Sequence, residues 1–454
     1  MAHAYVIGLG KSGNAAARLL KQQGWSVTIS DRGNSDALQH QSQALVAEGI
    51  AVKLGDDFDP AASQPELLVV SPGVPWDVPS LEQARRLGVA TIGDMELAWR
   101  HLIDRPWVAI TGTNGKTTCT ALTAAIFQAA GFQAPAFGNI GFAACEVAMA
   151  TPQPDWCIAE LSSYQIEAAA SITPKIALWT TFTPDHLARH KTMPNYFDMK
   201  ARLLARAEQQ IFNGDDANLR AVGLNGGFPV RRNACWTSIS GKEQLIGDPD
   251  RGAYIQDDWI YVCNQKIMAA STLKMPGDHN RQNLLMAVAA AYFAGVPNEK
   301  IELAIAAFPG VAHRLELIRT WNGIEFINDS KATNYDAAEV GLSSMQGSTI
   351  LIAGGAGKAG DDEAWMASIK AKAAAVLLIG DAAPDFARRL KAIGYEQYEL
   401  LDTMANAVPR AAELAQQKNA GYVLLSPACA SFDQYANFEQ RGDDFRQLCE
   451  AVLV

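Results

Sequence analysis

Trp107-Val108-Ala109-Ile110-Thr111-Gly112-Thr113-Asn114-Gly115-Lys116-Thr117-Thr118 decides the fold of this 454-residue chain. An apolar strand enters a glycine turn, and the turn opens an Ala-rich helix over 119–130. Such a turn cradles phosphates: its successive N–H groups surround the β- and γ-phosphates, Lys116 brings a mobile cation, and Thr117 can ligate Mg²⁺. Ile110 stands where the common pattern has its first glycine. The strand–helix context still outweighs the reading as an ordinary turn with an exposed lysine. Gly112, Thr113, Asn114, Gly115, Lys116, Thr117 and Thr118 are therefore the candidate nucleotide-binding residues.

Outward from this turn, strands are expected at 156–159 and 176–180. The stretch 213–274, rich in Gly, Asn, Asp and Trp, reads as a small β excursion with alternation at 258–262. A long Ala-rich helix is expected over 278–294. Upstream, a strand at 5–8, a helix at 15–22, a strand at 25–30 and another at 67–70, stopped by Ser71-Pro72-Gly73-Val74-Pro75, form βα units. Downstream, a third start near Val311 leads to strands at 324–328, 349–353, 376–379 and 422–426. Strands alternating with helices imply parallel sheets covered on both faces. The expected fold is α/β in three domains: 1–97 Rossmann-like, 98–310 a P-loop-type ATPase domain with the β excursion, and 311–454 Rossmann-like.

Composition narrows the class. About half the residues are hydrophobic (49%) and 19% are charged, which is globular. A net charge of −10 argues against a general nucleic-acid or anionic-membrane surface, though not against locally bound phosphates. Seven scattered cysteines with no CxxC pair suit a reducing compartment and offer no zinc framework. Met1-Ala2-His3-Ala4-Tyr5 runs straight into a strand, and no apolar run nears the ~20 residues of a membrane helix. A cytoplasmic protein is expected.

Other segments carry chemistry less sharply. Gly8-Leu9-Gly10-Lys11-Ser12-Gly13 between strand and helix is a GxGxxG turn suited to a diphosphate, with Asp31 closing the next strand where an acid can hold a ribose hydroxyl. Glu160 ends a strand near the phosphate turn and is placed for Mg²⁺. His186 and His190 are four apart, but Leu187 occupies the place of the HExxH glutamate, so zinc is disfavoured. Lys200 by itself reads as a solvated helix residue, and His313-Arg314 as exposed surface. Asp329-Ser330-Lys331-Ala332-Thr333-Asn334 and Gly354-Gly355-Ala356-Gly357-Lys358 each follow a strand, and are either ligand loops or surface turns.

In this order the segments resemble the Mur ligase family of peptidoglycan synthesis over nearly the whole chain. Thr111–Thr118 resembles its ATP loop, Glu160-Leu161-Ser162-Ser163 its metal-site segment, Asp185-His186 its histidine motif and His313-Arg314 its hinge arginine. Asp329–Asn334, Ser426-Pro427-Ala428-Cys429-Ala430-Ser431-Phe432-Asp433-Gln434 and Asn437-Phe438-Glu439-Gln440-Arg441-Gly442 resemble the members that add D-glutamate. Ser71-Pro72-Gly73-Val74 and Gly93-Asp94 fit the same members. The resemblance implies that Gly8, Gly10, Ser12, Gly13, Asp31, Arg32, Gly73 and Asn139 bind a UDP-linked muramoyl-alanine, not NAD. It implies Asn280, Asn283, Arg314 and Asp329 as further ATP contacts, and Lys331, Thr333, Lys358, Ser431 and Phe438 as D-glutamate contacts. Thr117, Glu160, His186 and a carbamylated Lys200 are the implied magnesium ligands, with Lys116, Glu160, His186 and Lys200 catalytic. Thr181 and Ala188 depart from the family pattern around the histidine motif.

The activity so implied is an ATP-dependent amide ligation through an acyl phosphate, by a monomer that neither binds nucleic acid nor inserts into a membrane. Two rivals use fewer of the motifs. A nicotinamide oxidoreductase would leave Thr111–Thr118 unexplained, and a nucleotide switch would turn over ATP without stimulation by an amino acid. A sister ligase adding another amino acid shares the ATP machinery but not the C-terminal signature.

Overall fold

The computed structural model describes residues 2–357 and 360–452. Packing divides them into two compact units, Met1–Lys274 with Asn280–Phe308, and Met275–His279 with Pro309–Val454.

The first unit holds two sheets. The N-terminal one is all parallel, in the order Ala51–Leu54, Ser26–Asp31, His3–Ile7, Leu67–Val70, Ala90–Gly93. All four side chains of Leu67–Val70 are buried, as a strand covered on both faces requires. The second sheet has nine strands. Its parallel part runs Cys235–Ser238, Gln209–Asn213, Ile176–Trp179, Trp107–Thr111, Cys157–Glu160, Ala136–Gly138. The expected β excursion is its far edge, where Ala253–Gln256 joins in parallel and Trp259–Val262 and Gln265–Ala269 meander antiparallel. Helix Asp278–Phe293 opens with six polar residues, then is apolar on every face over Leu284–Ala291, all fully buried, which places that part inside the unit.

One hydrophobic core underlies both sheets. Leu19 and Leu20 of helix Lys11–Gln22, Met95 and Trp99 of helix Asp94–His101, and Ala144, Cys145 and Val147 belong to a single cluster with Trp107, Phe137 and Trp179. Polar clasps reinforce it. Gly93 N donates to Ala168 O (2.8 Å), and the buried Glu96 carboxylate accepts from Ser171 N (2.9 Å), Ser171 Oγ (2.5 Å) and Arg100 Nε (3.0 Å).

The second unit has one six-stranded sheet in the order Glu316–Trp321, Ile324–Asn328, Tyr422–Leu425, Thr349–Gly354, Ala373–Ile379, Tyr398–Asp402. Only the first pairing is antiparallel. The last strand in sequence inserts between two consecutive earlier ones. The usual ligand position in an open α/β sheet is outside the carboxyl ends of its strands, here those of Ile324–Asn328 and Thr349–Gly354 on either side of the inserted one. No described helix is long and apolar enough to cross a membrane.

Candidate active site

Strand register builds the phosphate loop. Ile110 lies opposite Glu160, and Thr111 opposite Trp179, so the turn after Thr111 emerges between Thr180-Thr181 on one side and Glu160-Leu161 on the other. Thr113 N donates to Thr181 O and Asn114 N to Thr181 Oγ1, both at 2.8 Å, and Thr180 Oγ1 donates to Asn114 O (2.5 Å). Thr181, a departure from the family pattern, therefore clasps the loop directly. Gly112 and Gly115 adopt φ +153° and +80°. A Cβ at the first would sit 2.0 Å from Thr180 Oγ1, and at the second 2.5 Å from Asn283 Oδ1. Lys116 Nζ folds back on Gly112 O (3.1 Å) and Thr113 O (2.8 Å), acceptors it can exchange for phosphate oxygens. Thr117 and Thr118 are buried in the first turn of helix Lys116–Ala129.

Glu160 is fully buried beside this loop. Its Oε1 accepts from Asn139 Nδ2 (2.8 Å), while the equally buried Oε2 has no hydrogen-bond partner. A buried carboxylate oxygen left unpaired is costly, and a cation supplies what it lacks. Carboxylate and threonine hydroxyl oxygens are also the donors Mg²⁺ prefers, so these residues fit that ion, with the His186 imidazole the odd member of the set.

The solvated-face reading of Lys200 does not hold. Its side chain is 1% exposed on helix Met193–Arg206, and Nζ donates to Gly112 O (2.6 Å). Burial, and then the neighbouring Lys116, push its amine well below the usual lysine range. Tyr196, one turn earlier, lies under the amine at 4.8 Å and bonds Thr113 Oγ1 (3.2 Å) through its hydroxyl. The two histidines separate by environment. His190 is buried, bonded to Ser163 Oγ (2.8 Å) and stacked on Tyr196, and burial lowers its pKa. His186 is exposed, with left-handed φ +56° at the start of the short helix Leu187–His190, and shares a 3.1 Å hydrogen bond with the Tyr164 hydroxyl through Nδ1.

In the N-terminal sheet, Gly8 has φ +96°, and a Cβ on Gly13 would lie 1.8 Å from Gly8 O, so the turn needs both glycines. Asp31 organises the loop: one oxygen accepts from Leu9 N and the other from Gly33 N, each at 2.8 Å. Arg32 pairs with Asp57 at 2.6 Å on the surface. A cavity of about 220 Å³ opens here, with Gly8, Asp31, Arg32 and Gly73 in its wall beside the apolar Phe58 and Val74. Ser12 lies near the buried Asp94 carboxyl and offsets part of the rise that burial gives its pKa.

In the second unit, Asp329 is buried at a strand end. It accepts from Ser426 Oγ (2.8 Å) and Leu315 N (3.4 Å), and burial raises its pKa to about 7. His313 is buried too, contrary to the surface reading. Its Nδ1 meets Asn328 Nδ2 at 3.1 Å, and Arg314 beside it is half-buried. Lys331 Nζ lies 3.8 Å over the Phe438 ring, Thr333 N donates to Lys331 O, and Ser431 is buried. Arg441 holds this region together. Fully buried, it donates to Ser330 Oγ (2.9 Å), Ser330 O (2.8 Å) and Cys429 O (3.1 Å). Lys358 lies outside the described residues. Asn280 and Asn283 are buried on the first unit's helix Asp278–Phe293.

Sequence reading missed Thr180, Tyr164, Tyr196 and the clamp role of Arg441. Tyr196 had a usable signal, since it precedes Lys200 by four residues on one helix and so shares its face. Thr180 and Arg441 act across strand pairings that no local pattern announces.

Three family profiles match: "Mur ligase MurD-like, N-terminal domain" over 2–93, "Mur ligase middle domain" over 110–291 and "Mur ligase, glutamate ligase domain" over 313–429. A Trichormus variabilis protein named UDP-N-acetylmuramoylalanine--D-glutamate ligase is 61% identical, covering 99% of each chain. One of the same name from Synechocystis sp. is 59% identical over 100% of each. Among solved structures, UDP-N-acetylmuramate-alanine ligase MurC from Thermotoga maritima superposes with TM-score 0.60 at 16% identity, covering 99% of this chain and all of that one. MurF from Acinetobacter baumannii gives 0.59 at 17% identity, covering 97% of this chain and 93% of that one. At these identities the two structures speak for the fold alone.

Proposed function

Since the chain belongs to the Mur ligase family, we propose that it joins D-glutamate to UDP-N-acetylmuramoyl-L-alanine at the expense of ATP, in peptidoglycan synthesis. The observation that carries this reading is the convergence of the phosphate loop, the buried Lys200 amine and the half-paired Glu160 carboxylate around Thr111-Gly112. Residues 1–97 take the UDP substrate, 98–310 ATP and 311–454 the amino acid.

A carboxylate does not form an amide directly, because its oxygen leaves poorly and its carbonyl is unreactive. In the first step the muramoyl-alanine carboxylate oxygen attacks the γ-phosphorus. The bond to the β-phosphate oxygen breaks, and ADP leaves. In the second, the D-glutamate nitrogen attacks the acyl carbon, the acyl–oxygen bond breaks, inorganic phosphate leaves and the nitrogen gives up a proton. The protein's contribution is position and charge compensation. Gly112–Thr118 hold the phosphates through N–H groups, and Lys116 moves from its loop carbonyls onto them as negative charge approaches. Asn280, Asn283, Arg314 and Asp329 serve adenine, phosphate and ribose. Lys331, Thr333, Ser431, Phe438 and Lys358 serve the amino acid.

Thr117, Glu160, His186 and Lys200 would hold Mg²⁺, which when bound neutralises phosphate charge and orients the carboxylate. Lys200 serves only if its amine carries a carbamate. The reaction with CO₂ needs a neutral amine and releases a proton, and burial, which favours the neutral form of Lys200, serves that need.

Phosphate release from ATP, measured with the UDP-linked precursor and each of a panel of D- and L-amino acids, tests the reading. D-glutamate should stimulate release above every other amino acid. Release that no amino acid stimulates would sink it and favour a nucleotide switch.

A further inference from the structure

We propose that Lys11 is a ligand of the substrate's diphosphate, and that Gly10 is a glycine so that the diphosphate can approach it. This deepens the reading of the N-terminal glycine turn as the UDP site and rests on that reading.

Three observations converge. The first concerns the glycines. Gly8 and Gly13 are explained by the fold, through a positive φ and a steric clash, but Gly10 is explained by neither. It has φ −86°, and a Cβ built on it meets nothing within 4 Å. A Cβ would fit there, so the fold does not demand this glycine, and close approach of a diphosphate to the turn accounts for it.

Charge gives the second observation. Helix Lys11–Gln22 has no acid in its first turn and no side-chain cap, so its leading N–H groups are unanswered. A lysine as its first residue adds a cation to the positive end of the helix, which is unfavourable until an anion arrives. Among the described residues no carboxylate pairs with Lys11, whereas Arg32 is already matched by Asp57. Ser12, the turn's other polar side chain, is uncharged and lies near Asp94. Lys11 is the cation carried by the glycine turn itself.

Position is the third. Lys11 Nζ donates to Gly141 O, in the loop that carries Asn139, and Asn139 in turn holds Glu160. A substrate gripped at the N-terminal sheet and reacting beside Glu160 must pass between these two loops. Lys11 spans that gap, and a backbone carbonyl is an acceptor it can exchange for a doubly charged phosphate.

Calorimetric titration of the full chain with UDP and with uridine tests this. Lys11→Met should weaken UDP binding about tenfold, the effect of one lost charge-assisted bond, and leave uridine binding unchanged, while Lys11→Arg keeps most of the UDP affinity. Gly10→Ala should weaken UDP without lowering the melting temperature. Equal UDP affinity in Lys11→Met and the parent chain would overturn the proposal. So would equal losses for UDP and uridine, because a merely structural clasp on Gly141 acts on both. If the parent chain binds neither UDP nor the precursor, the assignment of the glycine turn itself fails.

Discussion

Lys200 and Asp94 show what a single buried ionisable group commits a protein to. The Lys200 amine sits where water cannot solvate its charge, so a methionine of similar reach should cost little stability. Lys200→Met is expected to keep the melting temperature within a few degrees while phosphate release falls at least about a hundredfold. Enzyme equilibrated with isotopically labelled bicarbonate should show a protein-bound carbamate carbon in the parent and none in the variant. A parent spectrum without that signal would remove Lys200 from the proposed metal ligands. Asp94 acts in the opposite sense. Burial lifts its pKa from 3.8 to about 6, so between those values the folded chain holds a proton that the unfolded chain has released. Its contribution is therefore full below about pH 4 and is lost as pH rises through about 6, by roughly 3 kcal/mol at most. Asp94→Asn, which keeps an acceptor for Ser12, should flatten the fall in urea-unfolding free energy over that window. An unchanged slope would mean the carboxyl is solvated.

At the level of strands, helices and the turns between them, local pattern and long-range pairing divide the information. The strand Trp107–Thr111 and its glycine turn were legible because hydrophobic run, glycine placement and helix start are all contiguous. So was the antiparallel edge beyond Ala253, where alternation and tight turns coincide. The burial of Lys200 was not legible from spacing, since a lysine on an amphipathic helix reads as solvated unless one knows which sheet the helix covers. The setting of Asp329, bonded to Ser426, likewise depends on the insertion of Tyr422–Leu425, a pairing about a hundred residues distant in the chain. Arg441 is the joint between these elements, tying the loop after Asn328 to the segment after Leu425. A planar fork bonded to several acceptors cannot be copied by an ammonium. Arg441→Lys should lower unfolding free energy by about 2–4 kcal/mol and raise KM for D-glutamate. An unchanged KM would separate the clamp from the amino-acid site.

The whole molecule is organised by where its hydrophobic cores begin and end. Because one cluster runs beneath both sheets of the first unit, cutting the chain near residue 97 would strip partners such as Trp99 and Trp107 from Leu19, Leu20 and Met95. Residues 1–97 alone should therefore show no cooperative thermal transition by circular dichroism, whereas 1–308 should show one. A sharp melt of the short fragment would mean the N-terminal sheet is stable without its neighbour.

That shared core has a consequence for selectivity. On the proposed assignment of the sites, Gly93 seated on Ala168 and Glu96 tied to Ser171 would let one solid piece grip both ends of a stretched substrate, like callipers locked at a fixed opening. Such a device measures reach as well as chemistry. A precursor lengthened by one residue at its acyl end should compete for the uridyl seat as well as the native one, yet overshoot the reacting position and release no phosphate.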